Sequence, residues 1–308
     1  MSWNLDGFPR QDGRVAIITG SNSGLGLETA WMLGKLGATV VMACRNPAKA
    51  EAAVAEILAR APGAKIERVA VDLGSMASIR RAAAELKGRF PTIDLLINNA
   101  GVMAPPTRKS TEDGFELQLG TNHMGHFLWT ALLWESLDKT AGRVVNVASS
   151  AHRMGSFDFN NLMWEKNYSP WPSYGRSKVA NLLFTFEGAR RARAAGLGVK
   201  FVAAHPGYAA TNLQSAGPGM DGASWSERMM GIGNAWVAQS AEWGARPTVV
   251  AAVATDAESG DYFGPVGLME LRGETARKVG SSKVARDEAT ARQLWEVSEK
   301  LVGAKLLS

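Results

Sequence analysis

"VAIITGSNSGLGLETA" occupies residues 15–30. An apolar, β-branched run closes at Thr19 and passes through Gly20, Gly24 and Gly26 into a helix-forming stretch. A short buried strand feeding directly into a helix is the opening of a parallel β-α unit, because parallel strands must be joined by a crossover. Glycine permits positive φ and lets backbone N–H groups come close to a ligand. The helix N-terminus that follows offers free N–H groups and a dipole to an anion. The spacing is not that of the plain G-x-G-x-x-G fingerprint. The turn, with Ser21, Asn22, Ser23 and Leu25 between its glycines, still suits a pyrophosphate; the other reading is a glycine-rich turn capped by Ser or Asn.

The same alternation continues outward. "ATVVMAC" precedes the helical "PAKAEAAVAEILAR", and strands follow in "AKIERVAVDL", "IDLLINNAG", "GRVVNVASS" and "VKFVAAHPG", with a short seventh near "DYFGP". Apolar strands separated by crossover helices predict an α/β fold, a single doubly wound domain over residues 1–308 with a mostly parallel seven-stranded sheet flanked by helices. Two segments are irregular: 151–172, rich in Trp, Asn and Met, and 207–234, rich in Gly and Met.

At 308 residues, with 46% hydrophobic and 20% charged residues, the chain can bury a sizeable core. The net charge of +5 is scattered; its densest cluster, Arg190, Arg191 and Arg193, suits the end of a helix, so no nucleic-acid partner is expected. The single cysteine, Cys44, excludes an internal disulfide framework. The N-terminal "MSWNLDGFPRQDGR" lacks a signal-peptide pattern, and no apolar run approaches about 18 residues. The expectation is a cytoplasmic protein without a membrane anchor. His123 and His126 lack a suitably spaced Glu or Cys, which favours packing roles over a metal site. No nucleophile elbow of the G-x-S-x-G kind occurs.

About twenty residues beyond the glycine turn, where an acid would bind the 2′-hydroxyl of NAD, the sequence reads "MACRNPAK" with Arg45. A guanidinium grips a 2′-phosphate in bidentate fashion, so NADP is expected over NAD. Further on, "SYGRSKVANLLF" places Tyr174 one helical turn before Lys178. An ammonium about 4 Å away, at an effective dielectric of about 20, favours a phenolate by about 4 kcal/mol. That predicts a phenol lowered by roughly three pKa units before desolvation losses, towards neutrality.

Taken with "VDL" at 71–73, "NNAG" at 98–101, "TNHMGHF" at 121–127, "VNVASS" at 145–150, "YGRSK" at 174–178 and "HPG" at 205–207, the chain resembles the short-chain dehydrogenase/reductase family. It is most similar to the retinol-dehydrogenase-like and WW-domain-oxidoreductase-like branch, which shares "ACRNP", "NHMGHF", "SKVANLLF" and "YFGP". The resemblance implies a Rossmann domain and hydride transfer between a nicotinamide and a carbonyl or alcohol. It implies Tyr174 as acid/base, Lys178 as its partner and ribose ligand, Ser149 on the substrate oxygen, and Asn122 holding a water near Lys178. Asp72, with Leu73 beside it, would meet the adenine; Asn99, Ala100 and Gly101 would line the cofactor; Pro206, Gly207 and Thr211 would contact its nicotinamide side.

Asp72 also reads as a helix N-cap before "GSMAS". The 25 residues separating Ser149 and Tyr174 bring Trp164, Tyr168 and Trp171 towards the mouth of the site. Met220, Trp225, Met229, Met230 and Trp236 suggest an apolar lid, hence a hydrophobic small-molecule substrate. Homodimerisation or homotetramerisation through helices at 111–137 and 174–195 is the family-based expectation. Two other readings stand beside it: a carbon–carbon double-bond reductase of the protochlorophyllide-reductase-like type, disfavoured by the absence of additional cysteines, and a non-catalytic NADP-sensing protein, disfavoured because no member of the tetrad is eroded.

Overall fold

The computed structural model describes residues 3–207, 240–267 and 270–307. Thr211 and the apolar positions expected to form a lid lie outside the described residues.

The opening stretch folds as read. Strand β1 (Val15–Thr19) ends at the glycine turn, and helix α1 (Gly24–Lys35) begins inside it. Then come β2 (Thr39–Cys44), α2 (Pro47–Arg60), β3 (Lys65–Ala70), α3 (Met76–Arg89) and β4 (Leu95–Asn98). A composite helix follows: α4 (Leu117–Leu119), a π-helical turn (Gly120–Met124) and α5 (Gly125–Leu133). The chain continues through β5 (Arg143–Val147), α6 (Pro170–Ala194), β6 (Lys200–Ala204), α7 (Ala241–Val253), β7 (Tyr262–Pro265), β8 (Ala276–Lys278) and α8 (Glu288–Val302).

Among the described residues the sheet has eight strands rather than seven, in the order β3-β2-β1-β4-β5-β6-β7-β8. The first seven are parallel, and the eighth pairs antiparallel with β7. β8 escaped the sequence reading because three residues, Ala276, Arg277 and Lys278, carry no apolar run; their pairing with Phe263, Gly264 and Pro265 makes them a strand.

The central strands are buried on both faces, as the sequence of β1 demands: Ala16, Ile17 and Ile18 are inaccessible to solvent. Helices α1, α2 and α7 cover one face and α3, α5 and α6 the other. The strand order reverses between β1 and β4, so a crevice opens at their carboxyl ends.

The apolar stripe of α8 lies over α5 and α6. Trp295 packs edge-on to Phe127 at 5.2 Å and tilts against Phe184 at 5.5 Å. Part of the helical face expected to meet a second copy is therefore covered by the chain's own α8.

Candidate functional site

The crevice is a cleft of about 550 Å³ running from the glycine turn to the end of β2. Gly20, Asn22, Ser23, Arg45, Asp72 and Leu73 line it, with Ala100 and Gly101 opposite. Gly20 has φ +65, and a Cβ there would lie 2.9 Å from Ala100, so only glycine keeps this turn tight against the β4 turn. Ser21 is turned inward, donating to the Ile18 carbonyl at 2.9 Å. Gly24, Leu25 and Gly26 form the first turn of α1. Asn99 holds the site without lining it: its amide donates to the Thr19 carbonyl at 2.8 Å and to that of Gly20 at 3.3 Å.

At the far end Arg45 lies 4.0 Å from Asp72, which also accepts the Gly74 N–H at 2.8 Å. Asp72 is not the cap of α3; that role falls to Ser75, whose hydroxyl accepts the Ser78 N–H. Sequence reading missed two neighbours here. Asn46 caps α2, accepting the Lys49 N–H at 3.0 Å, and Lys49 lines the same end of the cleft. The Asn-Pro start of α2 was the available signal.

The tetrad residues gather behind Gly101 on the wall of the cleft. Tyr174 and Lys178 rise from α6, 6% and 2% exposed, and the ammonium sits 5.6 Å from the ring centre. Lys178 donates to the Val147 carbonyl at 3.0 Å. Ser149 ends the strand-β5 segment, accepts the Ala151 N–H at 3.2 Å and shares a hydrogen bond with the Tyr174 phenol. Asn122 lies in the π-helical turn: its carbonyl oxygen Oδ1 accepts from Val102 N–H at 2.8 Å, and its amide donates to Ser177 Oγ at 2.9 Å. A Cβ on Gly101 would be 3.1 Å from Asn122 and 3.6 Å from Lys178, so the open wall there adjoins both.

One sequence expectation is reversed. Burial pushes the Tyr174 phenol up to about 12, against the lowering contributed by Ser149, instead of Lys178 drawing it towards neutrality. Burial also lowers Lys178 to about 8. Two groups withdrawn from water together each favour their neutral form, and the desolvation losses outweigh the pairing.

The residues between Tyr174 and Lys178 were overlooked, and each is used. Gly175 brings α6 against the serine turn: a Cβ would lie 2.8 Å from the Ala151 carbonyl. Arg176, 3% exposed, donates to the carbonyls of Ser156, Asn161 and Leu162 at 2.9, 2.6 and 3.2 Å and stacks over Trp164 at 4.2 Å. Ser177 accepts from Asn122 and donates to the Tyr174 carbonyl at 2.8 Å.

Trp171 meets the Tyr174 ring edge-on at 6.2 Å, and Tyr168 donates to the Pro105 carbonyl at 2.9 Å, so the long segment does frame the site. Pro206 and Gly207 follow β6; Gly207 has φ +69 and donates its N–H to His205 Nδ1 at 3.2 Å. His123 and His126 are buried, and among the described residues no cluster could hold a metal ion. Nor is any described helix long and apolar enough to cross a membrane.

A glycine turn at a strand-order reversal, with a half-buried Ser149 bonded to a buried Tyr174 and a buried Lys178 beside Gly101 of the cleft wall, defines a nucleotide-dependent oxidoreductase of the doubly wound class. Comparison gives its family: the model described as short chain dehydrogenase matches residues 14–218. The chain belongs to the short-chain dehydrogenase/reductase family, NAD(P)-dependent enzymes acting on alcohol or carbonyl groups.

Within the family it is similar to the retinol dehydrogenases. It is 38% identical over 295 residues to retinol dehydrogenase 13 of Homo sapiens, covering 94% of this chain and 85% of that one. A solved structure of an uncharacterised protein from Mycobacterium paratuberculosis is 39% identical, with a TM-score of 0.81 over 99% of both chains. A short-chain dehydrogenase/reductase from Burkholderia phymatum, solved in complex with NAD, shares the fold at 22% identity, with a TM-score of 0.64 over 82% of this chain and 89% of that one.

Proposed function

We propose that the protein is an NADP-dependent reductase of apolar carbonyl compounds, with Tyr174 as the proton donor and the corresponding alcohols as its products. The observation that carries this reading is a cleft that begins at Arg45, Asn46 and Lys49 and reaches Gly101, whose open side adjoins Asn122 and Lys178, with the Ser149–Tyr174 hydrogen bond made from the same helix as that lysine. Two cations, Arg45 and Lys49, beside the capped start of α2 suit a 2′-phosphate, and of the two carboxylates that line the cleft Asp72 faces Arg45 while Glu56 lies about two helical turns beyond Lys49 on α2. The glycine turn fits a pyrophosphate because a side chain at Gly20 would collide with Ala100.

When bound, the nicotinamide supplies the hydride. Ser149 then orients the substrate oxygen, and Tyr174 gives it a proton. A phenol raised by burial is protonated throughout the neutral range, the form a proton donor needs. Asn122 and Ser177 hold α6 against the π turn, and Lys178 ties α6 to the end of β5. Trp171 beside Tyr174, and the similarity to retinol dehydrogenases, support an apolar substrate.

The test is a fluorescence titration with NADPH and NADH on the wild type, Arg45→Asp and Tyr174→Phe, followed by turnover of apolar aldehydes and ketones. Expected are tighter NADPH binding, a shift of preference towards NADH in Arg45→Asp, and loss of turnover with intact binding in Tyr174→Phe. Equal affinity for both nucleotides would remove the 2′-phosphate assignment. Turnover retained in Tyr174→Phe would remove the proton donor.

A further inference from the structure

His126 stands in the first turn of α5, directly after the π-helical turn, and is 1% exposed. Its Nδ1 lies 3.0 Å from the main-chain carbonyl oxygen of Asn122, and its Nε2 lies 2.8 Å from Thr19 Oγ1. The partners fix the tautomer. A carbonyl oxygen only accepts, so Nδ1 carries the hydrogen. Burial lowers the ring to about 4, with the Lys178 charge adding to the effect against the bond from Asn122, so the imidazole is neutral at working pH and Nε2 accepts.

Thr19 must then donate to His126; the other acceptor in reach, the Ile97 carbonyl, is farther at 3.4 Å. The same hydroxyl oxygen accepts the N–H of Asn99 at 2.9 Å and of Ala100 at 3.0 Å. Donation thus runs one way: from the β4 turn to Thr19 at the end of β1, from Thr19 to His126, and from His126 to the carbonyl of Asn122. Two segments, the glycine-turn strand and the π turn, meet on the ring, and the β4 turn joins them through Thr19.

We infer that His126 is a positioning residue that couples the seating of the dinucleotide to the placement of the catalytic tetrad, through Thr19 on one side and the Asn122 carbonyl on the other. The inference rests on the proposed function for its catalytic half. Its geometric half stands without it. A helix interrupted by a π turn at Asn122 is where such a support is needed, since the inserted residue disturbs the regular i→i+4 ladder. Asn98 and Thr130, whose side chains bond at 3.1 Å, brace the neighbouring layer but touch neither Thr19 nor the Asn122 carbonyl through these groups.

Two substitutions separate the halves. In His126→Asn the amide takes the place of Nδ1 and keeps the bond to Asn122 while losing Thr19. In His126→Gln the amide reaches the place of Nε2 and keeps Thr19 while losing Asn122. Each loses about one hydrogen bond, an effect of about tenfold. His126→Asn should therefore lose more in NADPH dissociation constant than in kcat, and His126→Gln more in kcat than in dissociation constant. Equal losses of both parameters in both variants would mark a merely structural histidine and overturn the inference.

Amide hydrogen exchange over residues 97–102 provides a readout that needs neither nucleotide nor turnover. Faster exchange at Asn99 and Ala100 in His126→Asn, but not in His126→Gln, supports the coupling. Unchanged exchange in both variants overturns it. If the wild type binds no nucleotide, the proposed function fails, and the exchange data still decide whether the ring joins the two turns.

Discussion

Lys178 has exchanged water for the carbonyl of Val147, its one hydrogen-bond partner among the described residues, and that exchange sets its charge. Its ammonium, ordinarily stable to about 10.5, gives way near 8 because burial penalises the charged form. A reduction that needs the cation should therefore fall through about pH 8, where the neutral amine takes over. In Lys178→Arg the charge persists, so the alkaline limb of kcat/KM should move upward even if the plateau is lower. A limb that stays near 8 in that variant would assign the titration to another group. The Tyr174–Lys178 spacing was legible in the sequence because i and i+4 share a helix face. The direction of the phenol's shift was not, because desolvation depends on what α6 packs against, and no local spacing records that.

At the scale of the element, α6 serves two ends at once. Its face towards the sheet carries Tyr174 and Lys178, while Arg176 reaches sideways to hold 156–162 by three carbonyls. That anchorage explains why 151–172 read as irregular: its partner is the next helix rather than its own backbone. Before α6 begins at Pro170, only short 3₁₀ turns, Ser150–Met154 and Phe159–Asn161, form there, and Trp164 and Asn167 adopt positive φ. Arg176→Met preserves the stem but strands those carbonyls. We expect a loss of about 2–4 kcal/mol in urea unfolding, and a KM for apolar substrate that rises more than the NADPH dissociation constant. A variant with wild-type KM would show that the segment keeps its shape unaided.

Across the whole molecule, strand order and layering were legible because the β-branched runs are long and the crossovers regular. β8 and the seat of α8 were not, since both depend on pairing between distant parts of the chain. The cover over α5 and α6 centres on Trp295, 1% exposed, with Arg191 stacked over it at 4.7 Å and Ser298 bonded to His123 at 2.9 Å. Trp295→Ala should cost about 3–5 kcal/mol in urea unfolding; a loss under 1 kcal/mol would mean that α8 rests on the helices without supporting them.

Acid acts on the molecule as a whole. The sequence has four histidines, and burial depresses all of them: His123 and His205 to about 3, His126 to about 4, and His152 in the same direction. The unfolded chain takes up these protons near pH 6.5 and the folded one does not, so stability is whole above that point and declines as pH falls through it. Glu116, raised by burial, works in the opposite sense at lower pH. The three histidines with the largest shifts together remove on the order of 4 kcal/mol between pH 7.5 and 5.5, at about 1.4 kcal/mol each. A melting temperature constant across that range would contradict the neutral, buried state of these rings.

The cover supplied by α8 also imposes an order in time. Phe127 and Phe184 are synthesised well before the Trp295 that shields them. At about 5–20 residues per second, the roughly 110 residues separating Phe184 from Trp295 occupy on the order of 5–20 s of translation. For that interval the growing chain carries an aromatic surface with no lid of its own, and whatever folds on the ribosome has to shelter it by other means until α8 arrives.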